Sequence, residues 1–355
     1  MNAVRKENYA KLQTFLDNLD FITLWEHVTT ISSGGANFTS TLHVATITSE
    51  NSDDLNLFIK AAAMGDKMRS AMKVYEIEYF ICTKLQKNFR RLEDKHGVAE
   101  KDRLVMSKFY GAHTVLMEKI IVFDDLVSRG LTSHDRMKSV DWEYAASATR
   151  ELAKVHALHG CKVTALNAVR EDTFDKLKNF LVRTDFLVYY DHLKPSRREV
   201  LMHGDFRTSN MMHLTRYDGT VEVIPVDYQT LRGGCPVVDL LYFIFTGTDK
   251  EFRAQYYEKL IDHYYSELRA ALIRLGMNPD EKYSREDYDA ELKEKLPFGL
   301  GVAVFTLPIV TVEAENAPTV DENLDLASFS IQKTGSLFPE RLNGVVDDFV
   351  RWGVI

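Results

Sequence analysis

Strand-like alternation and helical periodicity divide this chain unevenly, and that division limits its fold more than any other feature. From about residue 23 to 61 the pattern is strand-like. Leu24–Ile31 leads into the turn Ser32-Ser33-Gly34-Gly35-Ala36-Asn37, and Thr39–Thr48 follows with β-branched residues. A polar turn at Glu50–Asp54 then gives way to Leu55–Lys60. Apolar alternation bounded by glycine and polar turns predicts an antiparallel meander. Residues 1–20, with Leu12, Phe15, Leu16 and Leu19 on one face, and residues 66–92 have helical spacing. Two more strand candidates follow, Leu104–Tyr110 and Thr114–Phe123. From residue 140 helices dominate, beginning with Trp142–His159 and Asp172–His192. One β interruption breaks them: Val200–Met202, then a hairpin of Met211–Leu214 and Val221–Val226 that turns at Asp218-Gly219. Everything after 239 reads as mostly helix, with a charged, solvated stretch at Asp280–Lys295. An α+β chain in two parts is expected, with the boundary near 123–130.

Composition removes several classes of function. The 44 basic and 52 acidic residues leave a net charge of −8, so no general basic field attracts nucleic acid. The three cysteines, Cys82, Cys161 and Cys235, are far apart and form no C-x-x-C pair, which leaves structural zinc unsupported. Sparse cysteines fit a reducing, cytoplasmic setting. The first twenty residues mix charge into every turn and lack the apolar stretch of a signal peptide. The longest uncharged apolar run, Leu296–Val312, is interrupted by Pro297, Gly299, Gly301 and Pro308. It is read as a buried helix broken near Pro308 rather than a membrane span.

The chemistry concentrates in Val200-Leu201-Met202-His203-Gly204-Asp205-Phe206-Arg207-Thr208-Ser209-Asn210. A short apolar strand delivers a turn in which Asn210 follows Asp205 by five positions. Phosphoryl transfer from ATP needs a carboxylate near the acceptor hydroxyl and an oxygen ligand for magnesium, and the protein-kinase catalytic loop has the same Asp-x-x-x-x-Asn spacing. A solvated turn whose Asp and Asn cap a helix is the plainer reading. The strand Val221–Val226, however, ends in Asp227-Tyr228-Gln229, which adds a second carboxylate one hairpin away. Magnesium prefers oxygen ligands and is usually held by one or two carboxylates plus phosphates. Asn210 and Asp227 are the candidate metal ligands, leaving Asp205 to orient or deprotonate the hydroxyl.

HGDFRTSN at 203–210, VDYQ at 226–229 and the following Gly234-Cys235-Pro236-Val237-Val238-Asp239-Leu240 resemble the ecdysteroid kinase-like family, within the wider choline kinase and aminoglycoside phosphotransferase group. Two residues depart from the family's pattern: Arg207, where tryptophan is common, and Tyr228 in place of phenylalanine. The resemblance extends over nearly the whole chain. It implies a two-lobed, protein-kinase-like fold. Residues 1–125 would form an ATP-binding lobe of antiparallel sheet plus helix, and 126–355 a larger helical lobe with the catalytic loop and acceptor site.

The resemblance also extends the set of candidate residues. Ser33–Ser40 is similar to the family's phosphate-covering loop, where Gly34, Gly35, Ala36 and Asn37 would bring backbone N–H groups to phosphate oxygens. Lys60 lies on the opposite face of its strand from Leu55, Leu57 and Ile59, before a helix carrying Glu76 and Glu78. A kinase-like fold pairs such a lysine with a helix glutamate and the α/β-phosphates, and the family's Phe-x-x-Glu pattern selects Glu78, with Glu76 as the other choice. Val122-Phe123-Asp124-Asp125-Leu126 resembles the family's hinge, where backbone N–H and C=O groups, those of Val122 and Asp124, would hold the adenine edge. His156 and His159 lack a third ligand and read as packed, His203 as organising the loop, and Asp239 as capping its helix or bracing the loop.

The implied activity is an ATP- and magnesium-dependent kinase phosphorylating a hydroxyl of a small molecule, an ecdysteroid or related steroid alcohol, in an apolar cleft that includes residues around 296–316. Two alternatives stay open. One is a choline- or aminoglycoside-type kinase with a cationic acceptor, for which Glu313, Glu315, Asp321 and Glu322 could supply acidic walls. The other is a non-catalytic ATP-binding protein on the kinase scaffold, opposed by the presence of Lys60, Asp205, Asn210 and Asp227 together.

Overall fold

The structure, a computed structural model, describes residues 24–31, 40–49, 52–62, 74–113, 120–159, 193–316 and 335–354. The expected leading helix, the glycine turn through Asn37 and the expected helix at 172–192 lie outside the described residues. Strands β1 (Leu24–Ile31), β2 (Ser40–Ser49), β3 (Ser52–Ala62), β4 (Phe109–His113) and β5 (Ile120–Asp124) form one antiparallel sheet in the order β1-β2-β3-β5-β4. Successive side chains of a strand point to opposite faces. Leu57, Ile59 and Ala61 therefore join Ala45, Ile120 and Val122 in one apolar cluster. Phe58 and Lys60 turn the other way, opposite Phe123 and Ile121.

That second face is covered by helix α1 (Val74–Phe80), whose Tyr75 packs on Ile121 with Phe109, Ala112 and Phe123 at the edge. The helix continues as a π-helical stretch, Ile81–Leu85, and then as α2 (Gln86–Lys95). The expected strand at Leu104–Tyr110 begins only at Phe109. The Leu104 N–H donates instead to Glu93 Oε1 at 2.8 Å, and the Arg103 carbonyl accepts from Lys154 Nζ at 3.0 Å. Side chains thus satisfy backbone groups that a sheet would otherwise pair.

The rest of the chain builds a helical body. Its helices are α3 (Trp142–His159), α4 (Pro236–Gly247), α5 (Lys250–Arg274), α6 (Pro279–Lys282), α7 (Arg285–Val310) and α8 (Phe338–Arg351). All twelve residues of α4 are buried, the expected position for a helix that is apolar around its whole circumference. α7 crosses it at Gly299, where a Cβ would lie 2.4 Å from the Phe245 ring, so only glycine permits this approach. The charged stretch at Asp280–Lys295 forms α6 and the first half of α7 with most of its charges exposed, and departs from the expectation in burying Glu291 and Lys295. Glu291 accepts from the Ser196 and Arg197 N–H groups and from the Tyr283 hydroxyl, which is how a carboxylate is held there. α7 runs through Pro297 and ends at Val310, two residues past Pro308.

Five short strands lie within this body: β6 (Thr132–Ser133), β7 (Val200–Met202), β8 (Met211–Thr215), β9 (Val221–Pro225) and β10 (Arg232–Gly234). β7 pairs with β10, and β6-β8-β9 form a small antiparallel sheet that includes the predicted hairpin. Among the described residues no helix is long and apolar enough to cross a membrane.

Candidate active site

The buried strand β7 ends in a turn whose shape is fixed from below. Asp239, in the first turn of α4, is fully buried and accepts from the His203 N–H at 2.6 Å and the Gly204 N–H at 2.9 Å. His156 Nε2 lies 3.2 Å from the same carboxylate, and its Nδ1 lies 2.6 Å from the Tyr264 hydroxyl. This histidine is packed and hydrogen-bonded, and Asp239 braces the loop. Gly204 has φ +84° and sits against Thr230, whose carbonyl oxygen would be 2.5 Å from any Cβ. The His203 ring donates from Nε2 to the Val226 carbonyl at 3.0 Å, joining the turn to the end of β9.

The turn presents Asp205. Its Oδ2 accepts from Asn210 Nδ2 at 2.7 Å and from Arg207 Nε at 3.1 Å. Burial opposes ionisation of Asp205, but the Arg207 guanidinium and a hydrogen bond from the Tyr242 hydroxyl hold its carboxyl below the usual carboxylate range. Asn210 turns its amide nitrogen to Asp205, so its Oδ1 faces the other way. The Val226 N–H donates to the Asn210 carbonyl at 2.9 Å, which brings Asn210 to the same end of the hairpin as Asp227.

Asp227 has φ 64° and ψ 56°, and it is the one non-glycine residue at positive φ among the described residues. That conformation costs about 1–2 kcal/mol for an L-residue, and such strain gathers at functional sites. It delivers the carboxylate to Lys60, with Asp227 Oδ1 2.5 Å from Nζ. Lys60 also meets Glu78 Oε2 at 2.9 Å and Oε1 at 3.2 Å, while Glu76 is exposed on the other side of α1. Burial works against the Lys60 charge, but Asp227 and then Glu78 outweigh it and hold the ammonium well above its usual range. Burial pushes Glu78 up, Lys60 pulls it down, and Asp227 repels it, leaving the carboxyl above its usual range.

Gly34, Gly35, Ala36 and Asn37 lie outside the described residues. Ser40, the first described residue after them, shares a 2.5 Å hydrogen bond with the Tyr75 hydroxyl. The side chains of Val122 and Asp124 point away from Lys60, which leaves the backbone contacts expected of this segment untouched. They lie opposite Ile59 and Leu57, on the far side of the sheet, and the Asp124 N–H is spent on the Lys108 carbonyl at 2.8 Å. Ile121, opposite Lys60, and Phe123, opposite Phe58, are the β5 residues that share the face of Lys60.

Sequence reasoning also missed Tyr242 and Arg136. Tyr242 is three residues past Asp239, the spacing that puts both on one face of α4, and its hydroxyl lies 3.5 Å from Thr306 Oγ1 of α7. Arg136 donates to the carbonyls of Val310 and Val312 at 2.7 and 2.6 Å, and tethers the end of α7. Nothing in its local sequence signals that role.

No curated protein matches the chain. Among solved structures, the chain is similar to an ethanolamine kinase from Plasmodium vivax with a TM-score of 0.46 and 10% identity, covering 99% of this chain and 88% of that one. It is also similar to a type VIII aminoglycoside-3′-phosphotransferase (TM-score 0.35, 13% identity, 82% and 99% covered). A third is a Streptomyces rimosus aminoglycoside phosphotransferase in complex with ADP and streptomycin (0.35, 12%, 81% and 98%). The model of the ecdysteroid kinase-like family matches residues 34–190 and 162–277, a stretch that takes in Lys60, Glu78, Asp205, Asn210 and Asp227. The chain therefore belongs to the ecdysteroid kinase-like family and is a small-molecule phosphotransferase with a protein-kinase-like fold.

Proposed function

We propose that the chain transfers the γ-phosphoryl group of ATP, with magnesium, to a hydroxyl of an ecdysteroid or related steroid alcohol. The observation that carries this reading is the convergence of Lys60 and Glu78 from the sheet and its helix with Asp227 from the hairpin, next to Asp205 and Asn210. A scaffold protein without chemistry has no need of a strained aspartate aimed at a buried lysine.

Each residue then has a defined task. Lys60, steadied by Glu78, meets the α/β-phosphates, and the loop through Gly34, Gly35, Ala36 and Asn37 covers them. Asp205 accepts a hydrogen bond from the acceptor hydroxyl, aims its oxygen at the γ-phosphorus and takes up its proton as the bond from phosphorus to ADP breaks. Its depressed pKa keeps it ionised at neutral pH and suits orientation more than strong proton abstraction. Asp227 and the outward-facing Oδ1 of Asn210 are hard oxygen donors at one end of a hairpin, a set that fits magnesium. Bound there, magnesium would neutralise charge on the phosphates.

An apolar acceptor is supported by α7, whose second half exposes Val304 and Phe305 and reaches Asp205 through Thr306 and Tyr242. The division into an ATP-binding lobe of 1–125 and a helical lobe of 126–355 follows the same reading. The buried, unpaired Cys82 and Cys235 support a cytoplasmic setting.

The test is incubation with ATP, magnesium and a panel of steroid alcohols, choline and aminoglycosides, with products read by mass spectrometry. A steroid phosphate is expected, and D205N is expected to form it about 10²–10⁴-fold more slowly. Phosphorylation of choline or an aminoglycoside alone would overturn the acceptor assignment. Absence of any product, with no stabilisation by ATP, would overturn the kinase reading.

A further inference from the structure

We infer that Arg207 is a selectivity residue that turns away alcohols carrying an ammonium group, so that the natural acceptor is uncharged around its reacting hydroxyl. This rests on the kinase reading above and deepens it. The Arg207 guanidinium is within the catalytic loop itself, two residues past Asp205 and bonded to it through Nε at 3.1 Å. Both side chains are largely buried, with 12% and 20% exposure, so water screens the pair weakly. A hydroxyl seated on Asp205 must come within a few ångströms of that guanidinium. An ammonium on a neighbouring carbon would then meet a like charge in a poorly screened cleft.

The surrounding charges point the same way. Binding an ammonium calls for an uncommitted carboxylate or an aromatic face. The buried and half-buried carboxylates bordering this cleft already stand beside cations: Asp205 beside Arg207, and Asp227 and Glu78 on Lys60. Glu313, one of the acids that could have served a cationic acceptor, accepts from the Ser336 N–H at 3.1 Å. Arg136 is also close enough to Arg207 for the two charges to repel. Rejection through a like charge is a common way to build specificity.

A matched pair tests this. It is built on whichever alcohol the panel identifies: the neutral compound, and its analogue with a primary amine on a carbon next to the reacting hydroxyl. kcat/KM is measured for both with the wild type, R207M and R207K, and melting temperatures are recorded for each protein. The wild type is expected to favour the neutral member at least tenfold, R207M to reduce that preference at least tenfold, and R207K to retain most of it. An unchanged preference in a folded R207M, or a wild type that uses both members alike, overturns the inference while leaving the kinase reading intact. If R207M does not fold, loss of the preference in a folded R207K overturns it as well. A wild type that phosphorylates no alcohol and is not stabilised by ATP overturns the kinase reading, and this inference falls with it.

Discussion

Lys60 is buried between two carboxylates, and its removal would leave Glu78 and Asp227 facing each other without a counter-charge. Breaking a buried ion pair by deleting one partner costs about 3–5 kcal/mol. K60M is therefore expected to lose stability on that scale in urea unfolding, as well as activity. Adding E78Q should restore part of the stability and none of the activity, because the second change relieves repulsion without returning a cation. If the double variant is no more stable than K60M, the repulsion is not the cause. This pair shows what was legible in single residues. Strand alternation put Lys60 on the face away from Leu57 and Ile59, and helical phase separates buried Glu78 from exposed Glu76. The partners of Asp205 were less legible. Arg207 stood out as a departure, but its bond to Asp205 depends on a loop conformation that no periodicity encodes.

Elements place these residues, and Asp239 shows how. One carboxylate at the start of α4 holds two loop N–H groups and a histidine ring, so helix and catalytic loop move as one piece. D239A would leave three buried donors without partners, at about 1–3 kcal/mol each. The expected result is a large drop in unfolding free energy with a fall in kcat, whereas D239N, which keeps one acceptor oxygen, should fall between. Equal stability of D239A and the wild type would remove Asp239 from this bracing role. Helices and the hairpin were legible because their periodicity and turn chemistry agree with their packing. Leu104–Lys108 misled because alternation cannot separate a paired strand from an extended segment whose backbone is satisfied by Glu93 and Lys154. The π-helical turn at Ile81–Leu85 has no sequence mark either, although it sets the rotation of α1, and so of Glu78, relative to α2.

At the scale of the whole molecule, the proposed site is assembled across the chain: Lys60 and Asp227 are 167 residues apart and belong to the sheet and the helical body. A nucleotide and metal that touch both sides should therefore stabilise the protein as a unit. Saturating ATP with magnesium is expected to raise the melting temperature, by an amount corresponding to about 2.7 kcal/mol at a hundredfold excess over Kd. The rise should exceed the sum of the separate shifts and collapse on addition of EDTA or in D227N. A shift that ignores EDTA would remove the metal from the proposal. The general architecture of meander, helix and helical body could be read in advance. Which β5 residue faces Lys60 could not, because it depends on the register between β3 and β5.

The double pairing of Lys60 has one more consequence. Its ammonium lies against the Asp227 oxygen that the proposed roles offer to a dication. Metal taking Asp227 Oδ1 would displace Lys60, and phosphates drawing Lys60 away would release that oxygen. Each ligand undoes the contact that resists the other. Lys60 and Asp227 would then behave as a latch, and the two ligands would show positive heterotropic cooperativity without any other moving part.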